Sequence, residues 1–127
     1  MSPHTRQRRG ALGEQIAVEH LEARGYEIVE RNYRTRFGEL DVVAADASAL
    51  VFCEVKTRVI HGCTGPVTPL DAIGGQKRMR IRRMAAQWLA ESGSGRPARA
   101  DLRFDAIGVV IEPDGRLVSL EHLEGAF

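Results

Sequence analysis

The chain has 127 residues, 43% of them hydrophobic, with a formal net charge of +1 and a pI of about 7.9. These values fit one domain with a single packed core, and the pI lies below the value of about 9 typical of many nucleic-acid-binding proteins. No segment has the apolar length of a membrane span or the apolar core of a signal peptide, so we expect a cytoplasmic protein with no membrane partner.

The N-terminal segment 1–9 contains three arginines and no apolar pattern, so it is predicted to be a flexible basic arm. The remaining residues, 10–127, are predicted to form one domain. The first helix is expected over residues 10–24, because Gly25 supplies a C-terminal cap.

Glu14 lies on the same side of this helix as its apolar residues, which are Ala17, Val18 and Leu21. A carboxylate at the head of a buried stripe is unfavourable unless it is paired or coordinated, which favours a site on this side of the helix. The simpler interpretation is an acidic residue stabilised by the helix dipole, and the two interpretations are compatible.

A first strand is predicted over residues 26–32, and basic residues extend from it toward residue 37, namely Arg31, Arg34 and Arg36. Arginines at such positions contact nucleic-acid phosphates in some proteins. In others they only protect an edge strand from pairing with a second chain. The sequence leaves both interpretations open.

Residues 38–56 have the pattern of two strands joined by a short polar turn. A turn centred on residues 47 and 48 places Asp41 opposite Glu54, and Glu39 opposite Lys56. Strict alternation then predicts that one face carries these charged residues and that the other face carries apolar ones, which are Leu40, Val42, Cys53 and Val55.

A divalent metal ion between Asp41 and Glu54 would offset the repulsion of two opposed carboxylates, because hard cations bind carboxylate oxygens. Lys56 would then hold a positive charge beside the ion, suited to a nucleophilic water or a developing phosphate charge. The competing interpretation is an exposed hairpin face, on which Glu54 and Lys56 are ordinary surface charges.

A long connection, residues 57–69, follows the hairpin and is predicted to be either a lid on the substrate side or a plain surface loop. The second helix is expected from residue 70 or 71 to residue 90, with a stripe of Ile81, Met84, Ala85 and Trp88. Lys77 continues this stripe, so it is either a second cation at the site or a lysine whose stem covers apolar surface. The arginines on the other helix sides, Arg78 and Arg82 among them, are candidate phosphate contacts or a solvated face.

The C-terminal part is predicted to form two strands, over residues 102–111 and 116–123. Asp105 interrupts the buried run of the first, and we interpret it as a structural hydrogen-bond acceptor without a catalytic role. The two cysteines form no disulfide framework, and Cys53 is expected in the core. The element order α-β-β-β-α-β-β predicts an α/β domain with a mixed sheet between helices.

Asp41 together with Glu54-Val55-Lys56 resembles the core of the PD-(D/E)XK nuclease superfamily. The wider pattern resembles the uncharacterised bacterial YraN proteins, and the archaeal Holliday junction resolvases are similar in placing a glutamate on the first helix. The residues that carry the YraN resemblance are Gly13-Glu14, Gly25-Tyr26, Arg31-Asn32, Gly38 to Asp41, Val51 to Arg58, Lys77, Arg103 to Asp105 and Ala126-Phe127.

The resemblance implies a restriction-endonuclease-like fold and an endonuclease dependent on Mg²⁺ or Mn²⁺ that acts on DNA or RNA, with branched or structured substrates included. Asp41, Glu54 and the carbonyl of Val55 would hold the metal, and Glu14 would bind it directly or through water. Lys56 would orient or deprotonate the attacking water. The similarity to resolvases is also compatible with a homodimer.

Two other functions compete with this one. The first is a binding module that holds nucleic acid on a nuclease scaffold without cutting it. The second is a protein-interaction subunit, which predicts no salt-dependent binding to nucleic acid.

Overall fold

The computed structural model describes residues 3–60, 75–92 and 101–126, with side chains from residue 7 onward. Its elements follow the predicted order, and the α/β class is confirmed. They are α1 (Pro3–Ala23), β1 (Glu27–Thr35), β2 (Gly38–Ala45), β3 (Ala49–Val59), α2 (Gly75–Ser92), β4 (Asp101–Ile111) and β5 (Leu117–Leu123).

The strands form one five-stranded sheet in the order β1-β2-β3-β4-β5. Neighbouring strands are antiparallel except for β3 and β4, which are parallel. A parallel pair needs a long crossover connection, and α2 lies within it. The sheet is therefore mixed, and the central β3 is covered on both faces, as its burial shows.

Each helix covers one face of the sheet with the stripe that its sequence predicts. On one face, Ala17, Val18 and Leu21 of α1 are buried together with Val42 and Val51. On the other face α2 buries the predicted residues, which are Ile81, Met84, Ala85 and Trp88. No helix among the described residues is long and apolar enough to cross a membrane.

The hairpin of β2 and β3 has the predicted register, with Val42 paired to Cys53 and Val43 to Phe52. Its turn is closed by Asp46, whose Oδ1 accepts hydrogen bonds from the backbone N–H groups of Ser48 and Ala49. The described ladder ends at Val42 and Cys53. Asp41 and Glu54 therefore lie one residue beyond the last backbone-paired residues. At this position a side chain, rather than a backbone–backbone hydrogen bond, joins the two strands.

Two predicted boundaries are wrong. Helix α1 begins at Pro3, so most of the segment 1–9 is helical rather than a flexible arm. Proline at the first helical position and the following arginines favour helix formation, and Gly10 lies inside the helix. Strand β3 continues to Val59, since β4 pairs with it as far as Ile111.

Leu40 lies on the opposite side from the one that strict alternation predicts. It packs with Val43 and α2, whereas Val42 packs with α1. The alternation fails at Asp41, between Leu40 and Val42, and on the neighbouring strand Asn32 has a left-handed backbone with φ of 53°. The strand pair is distorted at this point, and the charged residues gather there.

The predicted loop 57–69 and the predicted start of the second helix fall largely on residues 61–74, outside the described residues. The described part of that helix begins at Gly75.

Candidate metal centre

Asp41 joins the two strands of the hairpin just beyond the end of their ladder. Its Oδ2 accepts a hydrogen bond of 2.8 Å from the backbone N–H of Val55. This bond fixes the carboxylate beside Glu54, the residue before Val55. The part predicted for Val55, a carbonyl ligand, stays a prediction.

Two further carboxylates approach Asp41 from neighbouring elements. Single oxygens of Glu14, Glu39 and Asp41 all lie within 4.8 Å of one another. Glu14 comes from α1, as predicted, while Glu39 precedes Asp41 on β2 by two residues. Glu39 was not predicted as a ligand, because alternation placed it only as a partner of Lys56.

Asn32 holds Glu14 and Glu39 together. With its amide nitrogen turned toward them, it donates hydrogen bonds of 2.8 Å to Glu14 Oε2 and 2.6 Å to Glu39 Oε1. Asparagine tolerates the left-handed backbone that this position adopts. The same residue thus distorts β1 and orients two acids, a role that the sequence pattern did not reveal.

The cluster is electrostatically unfavourable without a cation. Burial raises the pKa of Asp41 to about 8, with further contributions from Glu54, Glu14 and Glu39, against the lowering effect of the Val55 hydrogen bond. Burial and Glu39 also raise the pKa of Glu14, although Arg31 and Asn32 act in the opposite direction. A set of converging oxygen donors that resists ionisation suits a hard divalent cation.

Glu54 lies beside this cluster but outside the described group of oxygens within 4.8 Å of one another, and its carboxylate has a cationic partner. Its Oε1 is 2.6 Å from Nζ of Lys77, and the residue is only 8% exposed. Lys77 therefore points toward the sheet, as its place on the α2 stripe predicts.

Lys56 lies two residues beyond Glu54 on β3, half-buried and opposite Gly108 of β4. Among the described residues, its ammonium group has no hydrogen-bonding or ion-pairing partner. Because side chains alternate along a strand, Lys56 lies on the same side of β3 as Glu54.

Two cavities flank Glu39. One, of about 560 Å³, lies between α1 and the β1–β2 pair and includes Glu14 and Asn32 in its walls. The other, of about 200 Å³, lies against α2 and includes Glu54 and Lys77. Glu39 therefore faces both cavities, whereas Glu14 faces the first and Glu54 the second.

The predicted nucleic-acid contacts fall into two groups. Near the cluster, Arg34 forms an exposed ion pair with Glu39 at 3.4 Å, and the guanidinium of Arg36 lies 4.8 Å from the ring centre of Phe37. Further along α2, Arg82 lies over Phe104 instead.

Arg83, which was not predicted as a contact, lies 5.7 Å from the ring of Phe37 and so joins the first group. Arg78 is exposed on α2.

A second charged cluster, at the C-terminal end of α1, is structural. Asp105 is fully buried and accepts hydrogen bonds from Arg103, from His122 at 2.8 Å and from the backbone N–H of Gly125. Burial alone would raise its pKa, but these hydrogen bonds hold it at about 2. The interpretation of Asp105 as a structural acceptor is confirmed.

His122 also lies 3.1 Å from His20 of α1, measured from Nδ1 to Nε2. The two histidines are 102 residues apart in sequence, so no local pattern indicates that they meet.

The fold and this site together define an α/β protein in which three acidic residues, Glu14 of α1 and Glu39 and Asp41 of β2, converge, with Glu54 of β3 beside them. The model of the Uncharacterised protein family UPF0102 matches residues 13–109. This chain belongs to that family, also known as the YraN family, and the resemblance to the YraN proteins is confirmed.

Curated relatives carry the same family description. The chain is similar to a UPF0102 protein of Parafrankia sp. (strain EAN1pec), with 48% identity over 95% of this chain and 97% of the relative. It is also similar to a UPF0102 protein of Moorella thermoacetica, with 42% identity over 97% and 98% of the two chains.

Proposed function

We propose that this protein is an endonuclease dependent on Mg²⁺ or Mn²⁺ that cleaves DNA or RNA, with branched or structured nucleic acids as its substrates. The observation that carries this proposal is the convergence of Glu14, Glu39 and Asp41 within 4.8 Å, beside Glu54. Three converging acids with a fourth beside them are unfavourable for folding alone, since burial and repulsion oppose the ionisation of Glu14 and Asp41.

Asp41, Glu14, Glu39 and Glu54 are the residues that would hold the ion. When bound, a divalent cation supplies Lewis-acid polarisation of a phosphoryl oxygen and lowers the pKa of a bound water.

The chain's own residues perform the remaining tasks. Lys56 would orient the attacking water or stabilise negative charge on the phosphate. Arg36 and Arg83, stacked with Phe37, offer positive charge and an aromatic face at the edge of the site, a combination that suits an unpaired nucleotide.

The test uses purified protein with labelled junction, flap and single-stranded substrates, in Mn²⁺ or in chelator. We expect cleavage in Mn²⁺ only, and its complete loss in Glu54→Ala with an unchanged circular dichroism spectrum. Glu112→Ala is the matched control, since Glu112 pairs with Arg116 away from the cluster. Cleavage by Glu54→Ala at the wild-type rate would reject the assignment.

A second candidate is a module that binds nucleic acid without cutting it. The ion pair of Lys77 with Glu54 favours this function, because one of the acids is already neutralised by a protein cation. The same assay separates the two: salt-dependent binding in both Mn²⁺ and chelator, with no cleavage in either, identifies the module.

A further inference from the structure

The ion pair between Lys77 and Glu54 connects α2 to the acidic cluster. The 2.6 Å contact lies in the wall of the 200 Å³ cavity, which the apolar side chains of Phe37 and Met84 also line. Glu54 is almost fully buried, whereas 39% of the Lys77 side chain is exposed. The carboxylate is therefore fixed by β3, while the ammonium group has space on its solvent side.

The position of Lys77 on its helix is unfavourable without this partner. It stands in the first turn of α2 as the structure describes that helix, Gly75–Ser92, and this turn contains no acidic residue. The N-terminal end of a helix carries a partial positive charge, which disfavours a cation there. Glu54 is thus the group that holds the ammonium in place.

A metal ion at the cluster and Lys77 would need the same carboxylate. Asp41 accepts a hydrogen bond from the N–H of Val55, the residue after Glu54, and Glu39 lines the same 200 Å³ cavity as Glu54, so Glu54 adjoins the cluster. An ammonium in contact with Glu54 would repel a divalent ion placed between Glu54 and Asp41, because both cations would lie within a few ångströms of one oxygen.

We propose that Lys77 and the metal ion bind Glu54 in alternation, and that Lys77 moves to a nucleic-acid phosphate when the ion takes its place. This inference rests on the proposed function. It makes Lys77 a positioning residue whose release couples metal binding to nucleic-acid binding. Such a coupling is reciprocal, since each ligand strengthens the binding of the other by the same factor.

The first measurement is Mn²⁺ affinity by isothermal titration calorimetry, with no nucleic acid present. We expect Lys77→Met to bind Mn²⁺ about fivefold more tightly than the wild type, or tighter still, because the competing cation is gone. Arg80→Met is the matched control: it removes a charge from the same cavity wall, and we expect a change of less than about twofold. Lys77→Arg, which keeps the cation, is expected to bind Mn²⁺ as the wild type does.

The second measurement is the affinity for a labelled flap DNA in Ca²⁺ and in chelator, by fluorescence anisotropy. Ca²⁺ is expected to tighten binding by the wild type and by Arg80→Met, and to lose most of this effect in Lys77→Met.

Equal Mn²⁺ affinities of the wild type and Lys77→Met would overturn the inference alone, and so would tighter Mn²⁺ binding with an unchanged Ca²⁺ effect on DNA. If neither protein bound Mn²⁺, the proposed function would be rejected, and this inference with it.

Discussion

At the scale of single residues, Gly13 determines how closely α1 approaches the sheet. A Cβ at this position would lie 1.8 Å from Oγ1 of Thr57 and 2.9 Å from its Cβ. Such distances are far inside van der Waals contact, so only glycine fits between α1 and β3. Because Glu14 follows directly, the same close approach brings its carboxylate to Asp41.

We therefore expect Gly13→Ala to lower the free energy of unfolding by roughly 1–3 kcal/mol, the usual cost of overpacking. Gly10→Ala is the matched control, since no atom lies within 4 Å of the added methyl group. It should be neutral or stabilising by up to about 1 kcal/mol, because alanine favours helix more than glycine does. Urea denaturation of both variants measures the difference, and effects of the same sign and size would contradict the steric argument.

Burial and the neighbouring acids make the ionised carboxylate of Asp41 unfavourable in the metal-free folded protein. Because its pKa in the folded protein is raised to about 8, folding favours the protonated carboxyl group. The metal-free protein should thus gain stability as the pH falls from about 8 toward the ordinary pKa of an aspartate. We expect Asp41→Asn to be more stable than the wild type at pH 8 in chelator, by about 1 kcal/mol or more.

Thermal unfolding at pH 8 checks this expectation. Mn²⁺ should raise the melting temperature of the wild type, because an ion that binds only the folded state stabilises it, and should leave Asp41→Asn unchanged. If Asp41→Asn were less stable than the wild type in chelator, the carboxylate would stabilise the folded protein and the prediction would be wrong.

At the scale of elements, β5 is an edge strand of the sheet with little burial. Leu117, Val118 and Leu123 are exposed, so little of this strand is buried against other elements. Besides its ladder with β4, it is joined to α1 and β4 through His20, His122 and Asp105. These polar contacts help to hold β5 against the rest of the domain, whereas apolar packing holds the inner strands.

The protonation state of this cluster should influence stability. Burial, His122 and Arg24 all lower the pKa of His20, so folding favours its neutral form. The unfolded chain then binds more protons in this range, and the contribution of His20 is lost as the pH falls below about 6.5. Asp105, with a pKa of about 2, stays ionised throughout.

We expect His20→Gln to reduce the loss of stability between pH 7.5 and pH 5. Glu14 and Asp41 change the stability in the opposite direction over part of this range, so the variant and the wild type must be compared at each pH. The measurement is the denaturation midpoint of both proteins. Parallel pH profiles would show that the histidine pair does not respond to pH.

At the scale of the whole molecule, a net charge of +1 conceals an uneven distribution. The acids gather around Asp41, and arginines surround Phe37 beside them. Nucleic acid bound by this surface should show an affinity that falls with salt, because each neutralised phosphate releases counterions.

For Arg36→Ala we expect weaker binding to every tested sequence, and a logarithmic salt slope reduced by about 1. The control is Arg116→Ala, an exposed arginine that pairs with Glu112 in the β4–β5 turn. Anisotropy titrations at several salt concentrations give both slopes. If the two variants had identical slopes, the surface around Phe37 would have no part in binding.

The sequence by itself determined the features that depend on local periodicity. The α2 stripe through Ile81 and Trp88 follows from the helical repeat, and the hairpin register follows from the turn at Asp46 and the alternation of the two strands. Both patterns arise between residues close in the chain, where backbone geometry fixes which side chains share a face.

Only the tertiary structure decided which charged groups meet. Glu39 joins Glu14 where Asn32 donates hydrogen bonds to both glutamates, and Lys77 reaches Glu54 because α2 packs on the face of β2 and β3 that carries Phe52. These contacts depend on the order of the strands and on the position of each helix on the sheet. Hydrophobic packing of distant segments sets that arrangement, and no short-range pattern of residues encodes it.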